Sequence, residues 1–259
     1  MKIAVCVKRV PDTASNIKLN SDGQGIVEEG LKFIISPYDE FGVEEGLKTK
    51  ENLGAGEVTA LTVGNDKAQD VLRSALAMGC DKAVMIESQE KLSGLSVAKL
   101  LAAKIKADDY QLVFTGKHAI DDDASQVSQM TAQLLDWPHV TSVSKFELID
   151  ESTAKVHRDV DGGNQEVWEI KLPAIFAATK GLNQPRYASL KGIMQSKSKP
   201  IEKVSAADLN LQEGGLNNNV TVVGYEEPPA RQAGQIFKDN PQEAVKEVVK
   251  KLREEAKVI

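Results

Sequence analysis

The chain has 259 residues, 41% of them hydrophobic and 27% charged, with a formal net charge of -6. That length suits one large domain, or a domain with an extension, and the composition is ordinary for a globular protein. The acidic balance argues against nonspecific nucleic-acid binding, and no apolar run is long enough to span a bilayer as a helix. Met1-Lys2 leads straight into strand-like Ile3–Val7, which is expected to leave no room for a signal peptide. Cys6 and Cys80 share no metal or redox spacing. A reducing cytosolic compartment, with both thiols as small buried hydrophobes, is the simplest expectation.

In chain order, strand-like runs occur at Ile3–Val7, Val58–Val63, Ala83–Ile86 and Leu112–Thr115. Helical patterns lie between them. Asp39 to Lys50 places Phe41 and Leu47 inward, and Asp66 to Gly79 places Ala68, Val71, Leu72, Ala75 and Leu76 on one face. Ala98, Leu101, Ala102 and Ile105 mark a third helix, and Val127, Met130, Thr131 and Leu134 a fourth. Alternating strands and helices predict a mostly parallel sheet with helices on both faces.

Beyond Trp137-Pro138 the pattern changes. Ser142–Ile149, Ala154–Val160 and Gln165–Leu172 read as strands, the last two joined by a tight turn at Asp161-Gly162-Gly163. This predicts an antiparallel hairpin excursion on the parallel sheet. Pro173–Thr179 reads as one more buried strand, followed by a long loop from Lys180 to about Pro200. The tail is polar, with Gly214-Gly215, Asn217-Asn218-Asn219, a short strand expected at Thr221–Tyr225 and an extended break at Glu226–Pro229. It ends in a helix from Pro241 to Ala256, with Val245, Val248, Val249 and Leu252 on one face. Such an arm has little core of its own, so it is expected to pack on its own domain or on a partner chain. The boundary is placed between residues 204 and 205.

The most telling stretch is Gly116 to Gln126, with its run Asp121-Asp122-Asp123. A Gly-containing loop here leaves the carboxyl end of a strand and enters a helix N-terminus, where backbone N–H groups and the helix dipole attract anions. It is neither a P-loop nor a GxGxxG fingerprint. The three carboxylates either cap the helix and face away from an anion, or bind a divalent cation. His118, His139 and His157 are scattered, no nucleophile or metalloenzyme signature occurs, and Lys8-Arg9 is a weak anion-clamp candidate.

Five segments carry a resemblance. They are Val7–Thr13, Ser36–Leu47, Gly116–Gln126, Leu135-Asp136-Trp137-Pro138 and Leu182–Leu190 with its Asn-Gln-Pro-Arg-Tyr-Ala-Ser-Leu block. In order and spacing the chain resembles the β subunit of electron-transferring flavoprotein, over nearly its whole length and weakest after about Ser205.

The resemblance implies an adenine nucleotide α-hydrolase-like, Rossmann-like fold. It also implies a heterodimer with an α subunit that holds most of a redox-active FAD, an AMP buried in this subunit, and no catalytic residues. Electrons would pass from acyl-CoA or other flavin-containing dehydrogenases to a quinone oxidoreductase. By family position, AMP would meet Cys6, Ser36, Pro37, Tyr38, Asp39, Val63, Gly116, Asp122, Asp123, Ala124, Ser125, Gln126 and Val127. Leu190, matching the family's anchor leucine, would dock dehydrogenases with Ile193 and Met194. Arg186 would either face the flavin and subunit interface with Tyr187 or make a structural ion pair. Bifurcating relatives bind a second FAD and typically carry Gly at the place of Asp122, so Asp122 favours AMP. The resemblance places the protein in a bacterial cytoplasm, or in the mitochondrial matrix if eukaryotic. A stand-alone adenine-nucleotide sensor and a Mg²⁺-dependent phosphoryl-transfer enzyme are the other readings.

Overall fold

The computed structural model describes residues 1–89, 92–211, 216, 220–231, 233–238 and 240–259. Its strands are β1 (Lys2–Cys6), β2 (Arg9–Pro11), β3 (Phe33–Ile35), β4 (Glu57–Gly64), β5 (Lys82–Glu87) and β6 (Leu112–Gly116). The remaining strands are β7 (His139–Asp150), β8 (Thr153–Val160), β9 (Asn164–Lys171), β10 (Ala174–Ala178) and β11 (Glu202–Val204). The helices are α1 (Pro37–Leu53), α2 (Gln69–Met78), α3 (Gly94–Ala107), α4 (Val127–Leu135), α5 (Leu190–Ser198) and α6 (Pro241–Glu254).

Nine strands form one sheet in the order β11-β5-β4-β1-β6-β10-β7-β8-β9. It is parallel from β11 through β7 and antiparallel across β7, β8 and β9. The fold is therefore the expected α/β sheet with an antiparallel excursion. Central strands hide both faces, which is why β6 and β10 read as unbroken apolar runs instead of alternating ones. Two apolar clusters sandwich the sheet. One holds Phe114, Phe176, Val43, Leu47, Val71 and Leu72, and the other holds Leu61, Leu100, Leu101, Ile105 and Ile175.

The expected fourth helix is α4, which buries Ser128, Thr131 and Ala132 and leaves Leu134 exposed. Two sequence expectations are corrected. The stretch from Lys180 to Pro200 is not all loop, because Ser189 accepts the Gly192 N–H and starts α5. Thr221–Tyr225 is not a strand. It meets the 20s loop through the Tyr225 N–H on the Gly23 carbonyl and the Gln24 side chain on the Val223 carbonyl. The β2–β3 hairpin and edge strand β11 are each three residues long, too short for a period-2 pattern to stand out. Residues 212–215 and 217–219, which include the glycine pair and the asparagine run, lie outside the described residues. Leu209, Leu211 and Leu216, past the expected boundary at 204, still pack against the second cluster.

Candidate functional site

Sheet order reverses at β1. The chain builds β4 and β5 on one side of it, then crosses to β6 on the other. In open α/β sheets the crevice beyond the carboxyl ends of such a strand pair is the ligand position. Here it is built by the end of β1, the turn into α1, the end of β6 and the loop into α4.

Asp39 joins the two strand ends. Its Oδ2 accepts the Lys8 N–H and its Oδ1 the Gly116 N–H, both at 2.8 Å. Burial pushes this carboxyl up to about 7, against the two N–H donors that favour its charged form. Gly116 is required by this close approach: a Cβ there would lie 2.5 Å from Asp39 Oδ1 and 2.8 Å from Tyr38 Cβ.

Ser36 precedes α1 without capping it, and Pro37 takes the first helical turn. Ser36 is fully buried, yet its Oγ has no hydrogen-bond partner among the described residues. A buried, unsatisfied hydroxyl is costly, by about 1–3 kcal/mol, so such an atom at a crevice marks a place for a polar ligand group. Tyr38 anchors the loop: its ring meets His118 edge-on at 4.4 Å, with Lys117 Nζ 5.0 Å from its centroid. Cys6 and Val63 are half-buried at the ends of β1 and β4 and lean on the second cluster. Cys80 is buried as expected, and burial pushes both thiols up to about 12, which leaves them unreactive.

The acidic run does not cap α4. Gln126 stands at the N-cap position and its side chain makes no capping hydrogen bond to the first turn. Asp121 Oδ1 and Asp122 Oδ2 lie 2.8 and 2.9 Å from Lys8 Nζ, and Asp123 Oδ1 lies 3.2 Å from His118 Nε2. Lys8, the weak anion-clamp candidate, thus clamps the loop's carboxylates. Burial works against the Lys8 charge, but Asp121 and Asp122 outweigh it and raise its pKa. Asp122 Oδ1 also accepts the Ala124 N–H, and Ser125 Oγ donates to the Lys117 carbonyl. Asp123 and Ser125 both adopt left-handed backbone, at φ 48° and 50°, which curls the loop over the helix end that Val127 begins.

Sequence reasoning passed over His139. Its Nε2 lies 3.0 Å from Ser128 Oγ, which accepts from Thr115 Oγ1 at 3.0 Å, so a polar chain runs beneath the loop. Burial and then Arg158 depress its pKa to about 4. The pattern held no signal for this, because the three residues come from separate elements.

The second candidate region is residues 183–199. Arg186 pairs with Glu44 through Nε and Nη2 (2.8 and 3.0 Å) and with Glu51 through both Nη atoms (2.6 and 3.0 Å). These ion pairs are made to α1 and not within the loop that carries Arg186. Asn183 donates to the Phe41 carbonyl and to Glu45 Oε2, fastening the same segment to α1. Helix α5 then packs on α2 so closely that a Cβ on Gly192 would strike the Ala77 carbonyl oxygen. The Arg73 guanidinium donates to the carbonyls of Ser196 and Lys199, and Lys199 Nζ to that of Cys80. Leu190, Met194 and Tyr187 point outward, at 83%, 74% and 98% exposure, and Ile193 is also exposed. The apolar residues therefore do not tuck into the core.

Two cavities lie away from the crevice. One, of about 280 Å³, is lined by Lys2, Glu57, Thr59, Lys82, Lys104, Asp108 and Glu202. Its ammonium groups are already paired, Lys104 with Asp108 and Glu202, and Lys82 with Glu57. The other is an open groove at the Asp159–Gln165 turn. Among the described residues no group of three or more His, Cys, Asp or Glu is placed to hold a metal ion. None of the described helices is long and apolar enough to cross a membrane.

A mostly parallel α/β sheet with a crevice at its switch point belongs to the class of folds that take ligands beyond their strand ends. Known proteins narrow this. The electron transfer flavoprotein domain model matches residues 24–209. The chain is 40% identical over 260 residues to the mitochondrial electron transfer flavoprotein subunit beta of Arabidopsis thaliana, and 39% over 262 residues to subunit beta of Bacillus subtilis (strain 168), with both chains of each pair fully covered. Against subunit beta of Homo sapiens it is 39% identical over 258 residues, covering 98% of this chain and 97% of that one. The chain belongs to the electron transfer flavoprotein family, as a beta subunit. It is an electron-carrier subunit, not an enzyme, and membership implies an alpha-subunit partner and involvement of flavin.

Proposed function

We propose that the crevice holds AMP as a structural ligand, and that the chain completes the FAD site of an alpha subunit and presents α5 to flavin-containing dehydrogenases. The observation that carries the nucleotide reading is Ser36: a fully buried hydroxyl without a partner at the switch-point crevice. Cys6 and Val63 offer apolar flanks for a purine, and the α4 N-terminus suits a phosphate. Pro37, Tyr38, Gly116, Ala124, Ser125, Gln126 and Val127 shape the same cleft. Asp122 and Asp123 serve by being drawn aside, to Lys8 and His118.

The flavin supplies the redox chemistry, and this chain's groups bind and position. The docking reading rests on Leu190, Ile193 and Met194 projecting from a firmly mounted helix with Lys191 and Lys197 beside them. An apolar anchor rimmed by cations fits a pocket with an acidic rim. Acyl-CoA dehydrogenases are the leading donors and a quinone oxidoreductase the acceptor, in a bacterial cytoplasm or mitochondrial matrix. The arm from residue 205 would pack on the alpha subunit with its α6 valines, and Tyr187 would lie at or near that interface.

The test is denaturation of the coexpressed heterodimer and chromatography of the released nucleotides. AMP equimolar with this chain and FAD equimolar with the heterodimer are expected. Two FAD per heterodimer without AMP would replace this reading with that of a bifurcating carrier, and release of no nucleotide would remove it.

A further inference from the structure

Carboxylates beside an anion-binding helix end repel a phosphate unless they are turned away or offset by a cation. In this crevice the cation comes from the chain itself. Lys8 Nζ lies within 2.9 Å of both Asp121 and Asp122, which are more than a hundred residues away in sequence. Lys8 is also held by its main chain, since its N–H is bonded to the buried Asp39 carboxylate and its carbonyl accepts the Ser36 N–H. One residue therefore touches the strand strut, the orphaned serine and the acidic loop. The third carboxylate, Asp123, is turned to His118.

Resting on the reading that a nucleotide occupies this crevice, we infer that Lys8 is the resident cation of the loop, a positioning residue that takes the place of a divalent metal. Its single charge leaves one net negative charge on the Lys8–Asp121–Asp122 group where two would otherwise face the phosphate. It also turns both carboxylates back toward β1, leaving the first turn of α4 to the anion. A tethered ammonium does this without the open coordination sphere that a metal would need, so retention of the nucleotide is independent of free Mg²⁺.

The experiment uses the coexpressed heterodimer, dialysed against EDTA, with retained AMP measured by chromatography. The parent should keep its AMP. Lys8→Met, which preserves the apolar stem, should retain roughly tenfold less, the scale set by two partly exposed ion pairs and the repulsion they mask. Lys8→Met combined with Asp121→Asn and Asp122→Asn should recover AMP, because the charge that needed offsetting is gone. A role limited to holding the loop in shape would not be rescued in this way, and thermal melting of each variant reports folding separately. Loss of AMP from the parent in EDTA, full retention by Lys8→Met, or failure of a folded triple variant to recover AMP would each overturn this inference alone. A parent that never carries AMP would overturn the nucleotide reading and this inference with it.

Discussion

Strands β6 and β10 bury every residue, whereas from Val220 onward no described residue is buried at all. Both regions are rich in apolar side chains. The central strands bring theirs together from distant parts of the chain, as in the packed rings of Phe114, Phe146 and Phe176. Helix α6 sets Val245, Val248, Val249 and Leu252 in an equally regular stripe, yet Val245 and Val248 are exposed and Val249 and Leu252 only half-buried among the described residues. The pattern that builds a core in one place thus builds an unfilled contact surface in the other. Burial, at about 25 cal/mol per Å² of apolar surface, stabilises the first region within the chain. The same term is largely unrealised in the second among the described residues.

The sharpest test of this contrast is truncation in the core. Phe176→Ala should lower the unfolding free energy of the chain by about 3–5 kcal/mol, read from urea denaturation. A loss of less than about 1 kcal/mol would mean that the aromatic cluster is not a stabilising centre.

The next effect separates the buried titrating groups. Asp39, raised from 3.8 to about 7, makes the folded state bind the extra proton across that interval, so it lowers stability as pH rises through it. His139, lowered from 6.5 to about 4, makes the unfolded state bind the extra proton, so it raises stability over pH 4 to 6.5. The two slopes oppose. Asp39→Asn should make stability climb more steeply with pH than in the parent, and His139→Gln should make it fall, each by about one proton's slope. Urea midpoints measured between these pH limits would show parallel curves if either assignment is wrong.

Gly116→Ala should follow, destabilising by about 1–3 kcal/mol because the new methyl meets Asp39 and Tyr38. It should also reduce nucleotide retention, and unchanged urea stability would show that the strut yields easily. At the far end of the scale, Val248→Ser should change the stability of the isolated chain by about 0.5 kcal/mol or less. It should nevertheless weaken heterodimer assembly in analytical ultracentrifugation. Equal loss in both measurements would erase the proposed difference between core and arm.

Much of the fold was legible because a periodic run such as Gln69–Met78, or an unbroken apolar run such as Leu112–Gly116, has one plausible environment. The crevice loop was legible as a position, from a glycine between a strand and a helix. Its internal wiring was not. Lys8 to Asp121, Asp39 to Gly116 and His139 to Ser128 are contacts between elements, and nothing local in the sequence pairs them. Helix α5 read as loop because Gly192 is a poor helix former, and only the close seat against Ala77 explains the residue. Its signature was nonetheless present in Ser189 and the 190, 193, 194 spacing. The spacing of Val127, Met130, Thr131 and Leu134 revealed α4 but not its buried face, which includes Ser128, a small polar residue that can be buried when hydrogen-bonded.

The mounting of α5 has a consequence for how such a protein changes over generations. Arg73 and Lys199 grip carbonyl oxygens, at residues 196 and 199 and at residue 80, and Gly192 meets a carbonyl with no side chain of its own. Main-chain oxygens are the same whatever side chains the helix displays. Residues 190, 193 and 194 can therefore be exchanged with little penalty to the mount, so the face that α5 displays can vary while its scaffold stays still.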